Sequence, residues 1–294
     1  KVRSMKVLSL FDGLSAGRIA LERAGIEVED YYASEIDKYA STISKKNWPD
    51  IIPIGDVTQV SYKDGVLHTQ FGSYETDIDM VIGGSPCQSF SVAGNQEGFE
   101  GKSGLFYEWV RILREVNPKY FLLENVCMKK EWENEITQEV GVAPIMINSA
   151  LVSAQNRKRL YWTNIEGITQ PKDKGVLFCQ ILEGFCLLNT STDNLSISKA
   201  NKAYTLTARY AGAVAWNSAE RKQRSMVIVC ESDAEGANIY GGNEYRKLTP
   251  IECERLQTIP DNYTESVSNS QRYKMIGNGW TVHVIAHIFS FIKG

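Results

Sequence analysis

In the first two-thirds of the chain, short unbroken apolar runs alternate with helical patterns. "KVLSLF" (6–11) is strand-like and leads through a small-residue turn, "DGLSAG" (12–17), into "GRIALERAG" (17–25), where Ile19, Ala20, Leu21 and Ala24 share one side. "DYYASE" (30–35), a helix from Asp37 to about Lys46, and "IIPIGD" (51–56) come next. A polar, poorly patterned connection then gives way to "DIDMVIGG" (77–84), the helix "SGLFYEWVRILREV" (103–116) and "KYFLLEN" (119–125). A short charged helix near 131–139, "PIMINSA" (144–150) and "RLYWTNI" (159–165) complete the series. Fully apolar strands alternating with helices predict an α/β fold with a mostly parallel sheet covered on both faces.

From about 166 to 248 the rhythm breaks into polar, turn-rich stretches around short β-like pieces such as "YTLTA" (204–208) and "MVIVC" (226–230). Helical signal returns at "LTPIECERLQTI" (248–259), with Thr249 as N-cap and Pro250 in the first helical position, and again at "WTVHVIAHIFSFI" (280–292). The predicted organisation is a large domain made of 1–168 and 265–294, onto which the C-terminal helix packs back. A small, irregular, β-rich domain covers 169–264.

Composition narrows the classes. A chain of 294 residues, 43% hydrophobic and 23% charged, reads as soluble and globular, with no tract long enough to span a bilayer. The opening "KVRSMKVLSLF" reads as neither signal peptide nor anchor, because its apolar run stops at Asp12. None of the six cysteines forms a Cys-x-x-Cys pair, and the three histidines do not complete a zinc pattern, so reduced thiols in an intracellular chain are expected. His283 and His287, four apart on an apolar helix, read as partly buried, and no metal is expected. A net charge of −3 gives no global sign of nucleic acid. The clusters "NRKR" (156–159), "ERKQR" (220–224) and "YRK" (245–247) read singly as solvated faces.

In a parallel sheet, ligands collect at the carboxyl ends of the strands. Asp12, Glu35, Asp56, Cys87 and Glu124 all fall there. The turn after the first strand lacks the full Gly-x-Gly-x-x-Gly spacing of dinucleotide binders. Glu35 can accept both hydroxyls of a ribose, and Asp56 can receive an adenine amino group. Three polar strand ends in series point to an adenosine ligand without a pyrophosphate, which S-adenosylmethionine fits. Cys87 differs from the other cysteines because Pro86 and Gln88 flank it and a glycine-rich segment comes after. A nucleophilic thiol needs such access. Glu124 is the candidate acid beside it, and alternation along an extended strand puts Arg157 and Arg159 on one side.

The ordered series "FDGLSAG", Glu35, "GD" (55–56), "GGSPCQSFS", "ENV", "QNRKR", "YRKLTPIECERLQ" and "IGNGWTV" resembles the DNA (cytosine-5)-methyltransferase family. The likeness covers nearly the whole chain except roughly 166–245. Its size is similar to bacterial or phage enzymes, and parts are similar to the eukaryotic de novo branch. The resemblance implies a Rossmann-like methyltransferase domain with a target-recognition domain. It also implies S-adenosylmethionine as donor and S-adenosylhomocysteine as product. Cys87 would add to carbon 6 of a flipped-out cytosine, Glu124 would hold the ring, Arg157 would position the base or a loop, and Arg159 would contact O2. Phe11, Asp12, Gly13, Leu14, Gly17, Glu35, Ile36, Asp56, Val57, Pro86, Leu105, Asn278, Gly279 and Trp280 would surround the cofactor. Ser91, Gln96, Asn125, Arg209, Arg221, Arg224 and Arg246 would meet DNA, with Lys202, Arg209, Arg221 and Arg224 available for phosphate or guanine contacts and Arg246 also bracing the recognition domain. The expected setting is a cytoplasmic monomer acting on double-stranded DNA, in a restriction-modification context with a cognate nuclease.

Two other readings compete: the same chemistry on tRNA, and a DNA-binding relative without catalysis. The tRNA-methylating relatives carry Cys-Phe-Thr after the glutamate motif, where this chain has "ENVCMKKEW" (124–132). Methyl transfer from labelled cofactor is therefore expected to be greater to a DNA duplex than to tRNA. Equal or greater labelling of tRNA would reverse that choice.

Overall fold

The computed structural model describes residues 4–86, 104–183, 202–229 and 238–293. Two compact units are formed: Lys1–Ile147, Lys158–Gln170 and Ile285–Gly294 in the first, Asn148–Arg157 and Pro171–Val284 in the second. The division differs from the sequence-based one in placing 148–157 and 265–284 with the second unit. The reason is polar: Gln155 and Arg157 bond to main-chain groups of Leu206, Leu256 and Gly277. Hydrophobic periodicity carries no trace of such links.

The first unit is built on seven strands: β1 (Met5–Leu10), β2 (Val28–Ser34), β3 (Ile52–Pro53), β7 (Met80–Gly83), β8 (Tyr120–Val126), β9 (Ile145–Asn148) and β10 (Lys158–Thr163). They form one sheet in the order β3-β2-β1-β7-β8-β10-β9. β1 pairs in parallel with both β2 and β7, and β7 with β8, whereas β10 runs antiparallel to β8. The sheet is thus mostly parallel, as the apolar runs predict. Val7, Leu8, Leu10, Met80, Val81, Ile82, Leu122 and Leu123 are fully buried. Each such side chain contributes about 1.5–3 kcal/mol on leaving water.

Helices α1 (Ala16–Arg23), α2 (Lys38–Asn47), α3 (Gly104–Val116) and α4 (Lys130–Val140) form where the periodicity places them. α3 buries Phe106, Trp109, Val110 and Ile112 against the sheet. On its polar face Arg111 pairs with Glu108 and Glu115 and donates to the Val60 carbonyl at 2.8 Å.

That last contact anchors an element the sequence reading missed. The polar connection is a small antiparallel sheet of β4 (Ser61–Lys63), β5 (Val66–Thr69) and β6 (Gly72–Glu75). Asp64 and Gly65, at φ 52° and 80°, make its first turn. An Asp-Gly pair between short β-prone runs is the hairpin signal that was available.

In the second unit, β11 (Met226–Val229), β12 (Asn238–Tyr240) and β13 (Asn243–Lys247) form an antiparallel sheet in the order β11-β13-β12. "YTLTA" is not a strand. Ala203 makes one bridge to Gln155, and buried Tyr210 beyond it donates to the Ser225 carbonyl and accepts from the Leu248 amide. Among the described residues the further α-helices are α5 (Ala215–Ala219), α6 (Pro250–Leu256), α7 (Asn269–Asn278) and α8 (Val282–Phe289). α6 starts as its sequence specifies: the Thr249 hydroxyl accepts from the Glu252 amide while Glu252 receives the Thr249 amide, with Pro250 in the first turn. Buried Glu254 and Arg272 pair at 3.0 Å, with Thr264 bonded to both.

Gly83 closes β7 where nothing larger fits. A Cβ there would lie 2.6 Å from the Leu10 carbonyl oxygen and 2.8 Å from the Trp109 indole nitrogen. Gly83→Ala is expected to lose about 1–3 kcal/mol, as overpacked cores do. Urea denaturation checks this, and an unchanged midpoint would show that β1 and β7 can separate cheaply.

Candidate active site

The turn after β1 is strained. Phe11, Gly13 and Ser15 are all left-handed, at φ 57°, 61° and 62°. For the two residues with side chains this costs about 1–2 kcal/mol each, so neighbouring contacts must hold the turn. The Asp12 carboxylate accepts the Ser9 hydroxyl at 2.6 Å, the Tyr31 hydroxyl at 2.7 Å and the Ser15 hydroxyl at 2.5 Å. Burial lifts the Asp12 carboxyl to about 6 against the pull of those donors, and the charge of Glu35 adds to the rise. Gly17, in the first turn of α1, and Leu14 are buried, and Phe11 packs on the core.

At the end of β2, Glu35 accepts three main-chain amides: Gly13 at 2.7 Å, Ile36 at 2.9 Å and Asp37 at 2.7 Å. Beyond β3, Asp56 accepts the Thr58 amide, and its own amide donates to Gln70 of the β5–β6 turn. Ile36 is 77% exposed, an apolar side chain with nothing over it among the described residues. Val57 instead points into the core, and Leu105 packs on its edge. Two carboxylates, an exposed apolar residue and a strained turn suit a ribose, an amino-bearing base and an uncharged or cationic tail. They do not suit a pyrophosphate, which the carboxylates would repel. The residues present therefore fit S-adenosylmethionine.

Two strands further along, Glu124 and Arg159 meet. In the β8–β10 register Glu124 faces Tyr161 and Val126 faces Arg159, which makes Glu124 and Arg159 diagonal neighbours on one face. The guanidinium Nε lies 3.0 Å from Glu124 Oε1, with both side chains about one-eighth exposed. Asn125 was expected to meet DNA; the structure buries it to 1% and has it donate to the Ser85 hydroxyl at 3.2 Å. It ties the end of β8 to the segment that runs, in sequence, through Pro86 to Cys87. Ser85 was not singled out in the sequence, where only its place in "GGSPC" marked it. Cys87, Ser91 and Gln96 lie outside the described residues.

Arg157 departs from the expectation. β10 starts at Lys158, so strand alternation does not extend to residue 157. Its guanidinium is 3% exposed inside the second unit and donates to the carbonyls of Leu206, Gly277 and Gly279. Asn278, Gly279 and Trp280 belong to that same unit. Lys202 is likewise engaged: it donates to the carbonyls of Ala150, Ser153 and Val176, and burial lowers its pKa. Arg246 makes a two-pronged contact with buried Glu252 at 2.8 Å, so phosphate binding would have to break that pair. Arg224 donates to the Gly212 carbonyl. Arg209 lies just before a short 3-10 turn at Tyr210–Gly212. Arg221 stacks on Trp216, 4.4 Å from the ring centroid, and Trp216 is 44% exposed. That exposed tryptophan was missed because α5 is too short to show a periodicity.

Comparison with known proteins covers almost all of the chain. The family described as C-5 cytosine-specific DNA methylase matches residues 5–175 and 182–294. The type II methyltransferase M.HhaI of Haemophilus parahaemolyticus is 30% identical over 98% of this chain and 94% of its own length. The type II methyltransferase M1.ScrFI of Lactococcus lactis subsp. cremoris is 29% identical over 97% of this chain and 78% of its own. Among solved structures, the Entamoeba histolytica methyltransferase EhMeth superposes with a TM-score of 0.72 at 17% identity, over 98% of both chains. The S. pombe Dnmt2 methyltransferase does so with 0.67 at 20% identity, over 97% of both. At such identities the structural likeness speaks for the fold.

The Glu124–Arg159 contact can be measured. Urea unfolding of Glu124→Gln, Arg159→Ala and the double variant is expected to show coupling of about 0.5–3 kcal/mol, as for residues in direct contact. Strictly additive losses would show that the two side chains do not act as a pair.

Proposed function

The chain belongs to the C-5 cytosine-specific DNA methylase family, and on that premise we propose how its own residues carry out DNA (cytosine-5) methylation. The observation that carries the reading is the Glu124–Arg159 pair at the end of β8, beside the Asn125–Ser85 tie. S-adenosylmethionine is the methyl donor and supplies an electrophilic methyl group.

Carbon 5 of cytosine is a weak nucleophile. The Cys87 thiolate adds to carbon 6 and pushes electron density to carbon 5, which then takes the methyl group. Glu124, braced by Arg159, hydrogen-bonds N3 and the exocyclic amine as charge builds on the ring. Arg159 also contacts the pyrimidine O2. Loss of the carbon 5 proton to a base then restores the ring double bond and expels the thiolate. Arg157 acts at a distance, by fixing the chain that enters β10. A base within a duplex is out of reach, so the target nucleotide is turned out of the stack.

Glu35 accepts the ribose hydroxyls of the donor, Asp56 its adenine amine, and Ile36 covers the ring. Phe11, Gly13, Leu105 and Pro86 complete that side. The second unit reads the DNA, and Arg221, over the Trp216 ring, and Arg209 are among its exposed cations that would meet a duplex. The chain acts on double-stranded DNA as a monomer in the cytoplasm, alongside a nuclease of matching specificity. No helix among the described residues is long and apolar enough to cross a membrane.

A duplex carrying 5-fluorocytosine blocks loss of the group on carbon 5 and so traps the thiol adduct. A denaturation-resistant protein–DNA band is expected with wild-type protein and not with Cys87→Ser. Absence of a band with wild-type protein would favour a relative that binds DNA without modifying it.

A further inference from the structure

We propose that Asp12 is a positioning residue that fixes the left-handed turn after β1 and does not itself touch the methyl donor. The proposal rests on the cofactor reading above and deepens it. Three hydroxyls from three elements converge on this half-buried carboxylate: Ser9 from β1, Tyr31 from β2 and Ser15 from the start of α1. Oδ1 accepts two of them and Oδ2 the third. Both of its oxygens are thus engaged by side chains of the fold itself. The carboxylate does what the local backbone cannot, by holding Phe11 and Ser15 in conformations that are individually unfavourable.

Ser15 shows the division of labour. It stands at the N-cap of α1, where a serine hydroxyl ordinarily accepts a main-chain amide of the first turn. Here it makes no such bond and donates to Asp12 instead. The same turn aims the Gly13 amide at Glu35 Oε2, and Ser44 from α2 donates to the Gly13 carbonyl from the other side. Asp12 therefore sets the place of the residue that orients Glu35, the acceptor assigned to the ribose.

Stability gives no reason for a charge here. Among the described residues, the groups recorded against Asp12 are Ser9, Ser15, Tyr31 and Glu35, and none of these is a cation. Its carboxyl sits at about 6 in the fold against 3.8 as the ordinary value. Its contribution to stability is thus complete below the ordinary value and is lost as pH rises to the folded one. At neutral pH the ionised group opposes folding, yet it accepts all three hydroxyls with no proton of its own to place.

The test is calorimetric titration of S-adenosylhomocysteine into the full chain at neutral pH, for wild type, Asp12→Asn, Tyr31→Phe and the double variant. Tyr31 is buried within the sheet and its hydroxyl donates to Asp12, so Tyr31→Phe removes one of the three hydroxyls that hold the carboxylate. It is expected to weaken binding about three- to tenfold, the loss of one charge-assisted hydrogen bond transmitted in part. The double variant should bind no more weakly than Asp12→Asn alone, and Asp12→Asn should melt no lower than wild type. In turnover the Tyr31→Phe defect should fall on KM for the donor rather than on kcat. Wild-type affinity in Tyr31→Phe together with weak binding in Asp12→Asn would make Asp12 a direct ligand and overturn the proposal. Unchanged binding in both would also overturn it, leaving the cofactor reading intact. Wild-type protein that binds no S-adenosylhomocysteine would remove the cofactor reading itself, and the proposal with it.

Discussion

Parallel pairing of β1 with β2 on one side and β7 on the other is the constraint that creates the site. Strands that run the same way deliver all their carboxyl ends to one edge of the sheet, and chain direction alone gathers the residues just past each strand. The turn at residues 11–15, Glu35, Asp56 and Ser85-Pro86 arrive together for that reason, although up to 75 residues separate them in sequence. β8 joins in parallel and adds Glu124 and Asn125. β10 breaks the rule by running antiparallel, which puts Arg159 diagonally across from Glu124. One reversed strand thus supplies a cation to an edge otherwise furnished with carboxylates.

The chemistry at that edge depends on how each carboxylate is held. Glu35 is held by three main-chain amides, which satisfy its oxygens without a salt bridge and fix its direction. Asp12 is held by hydroxyls, which satisfy its lone pairs but do not cancel the cost of burying its charge. Glu124 alone of the three has a guanidinium. A glutamate paired with arginine already has its charge answered on one side, which suits the ring-holding role proposed for it. The three acids share a residue class and an edge, and what surrounds each separates their work.

Much of this was legible in the residues. Unbroken apolar runs specified the strands, because a strand buried on both faces has no polar alternation to confuse the reading. Thr249, Pro250 and Glu252 specified the start of α6, because capping is local chemistry. The failures share a cause. Arg157 and Lys202 look like surface cations in sequence, yet both lie against carbonyl oxygens distant in the chain. Asn125 reads as a polar strand end open to a ligand and is buried by its bond to Ser85. A polar side chain declares its type in the sequence, but its partner is set by topology. The small sheet at residues 61–75 escaped for another reason: its strands are three or four residues long, too short for a period to appear.

The same logic explains why the second unit contains more engaged charge than its sequence implies. Glu252 and Glu254 are both fully buried on one short helix, the first paired with Arg246 and the second with Arg272. Replacing such pairs with apolar residues is often neutral for stability, whereas removing one partner costs about 3–5 kcal/mol. Their value therefore lies in admitting one arrangement of α6, β13 and α7 and penalising others. A unit whose described residues have few regular strands and no large apolar sheet cannot define its shape by hydrophobic layering alone. Paired charges and carbonyl-bound arginines set that shape here, and this leaves Arg221, stacked on exposed Trp216, among the cations whose heads remain turned to solvent.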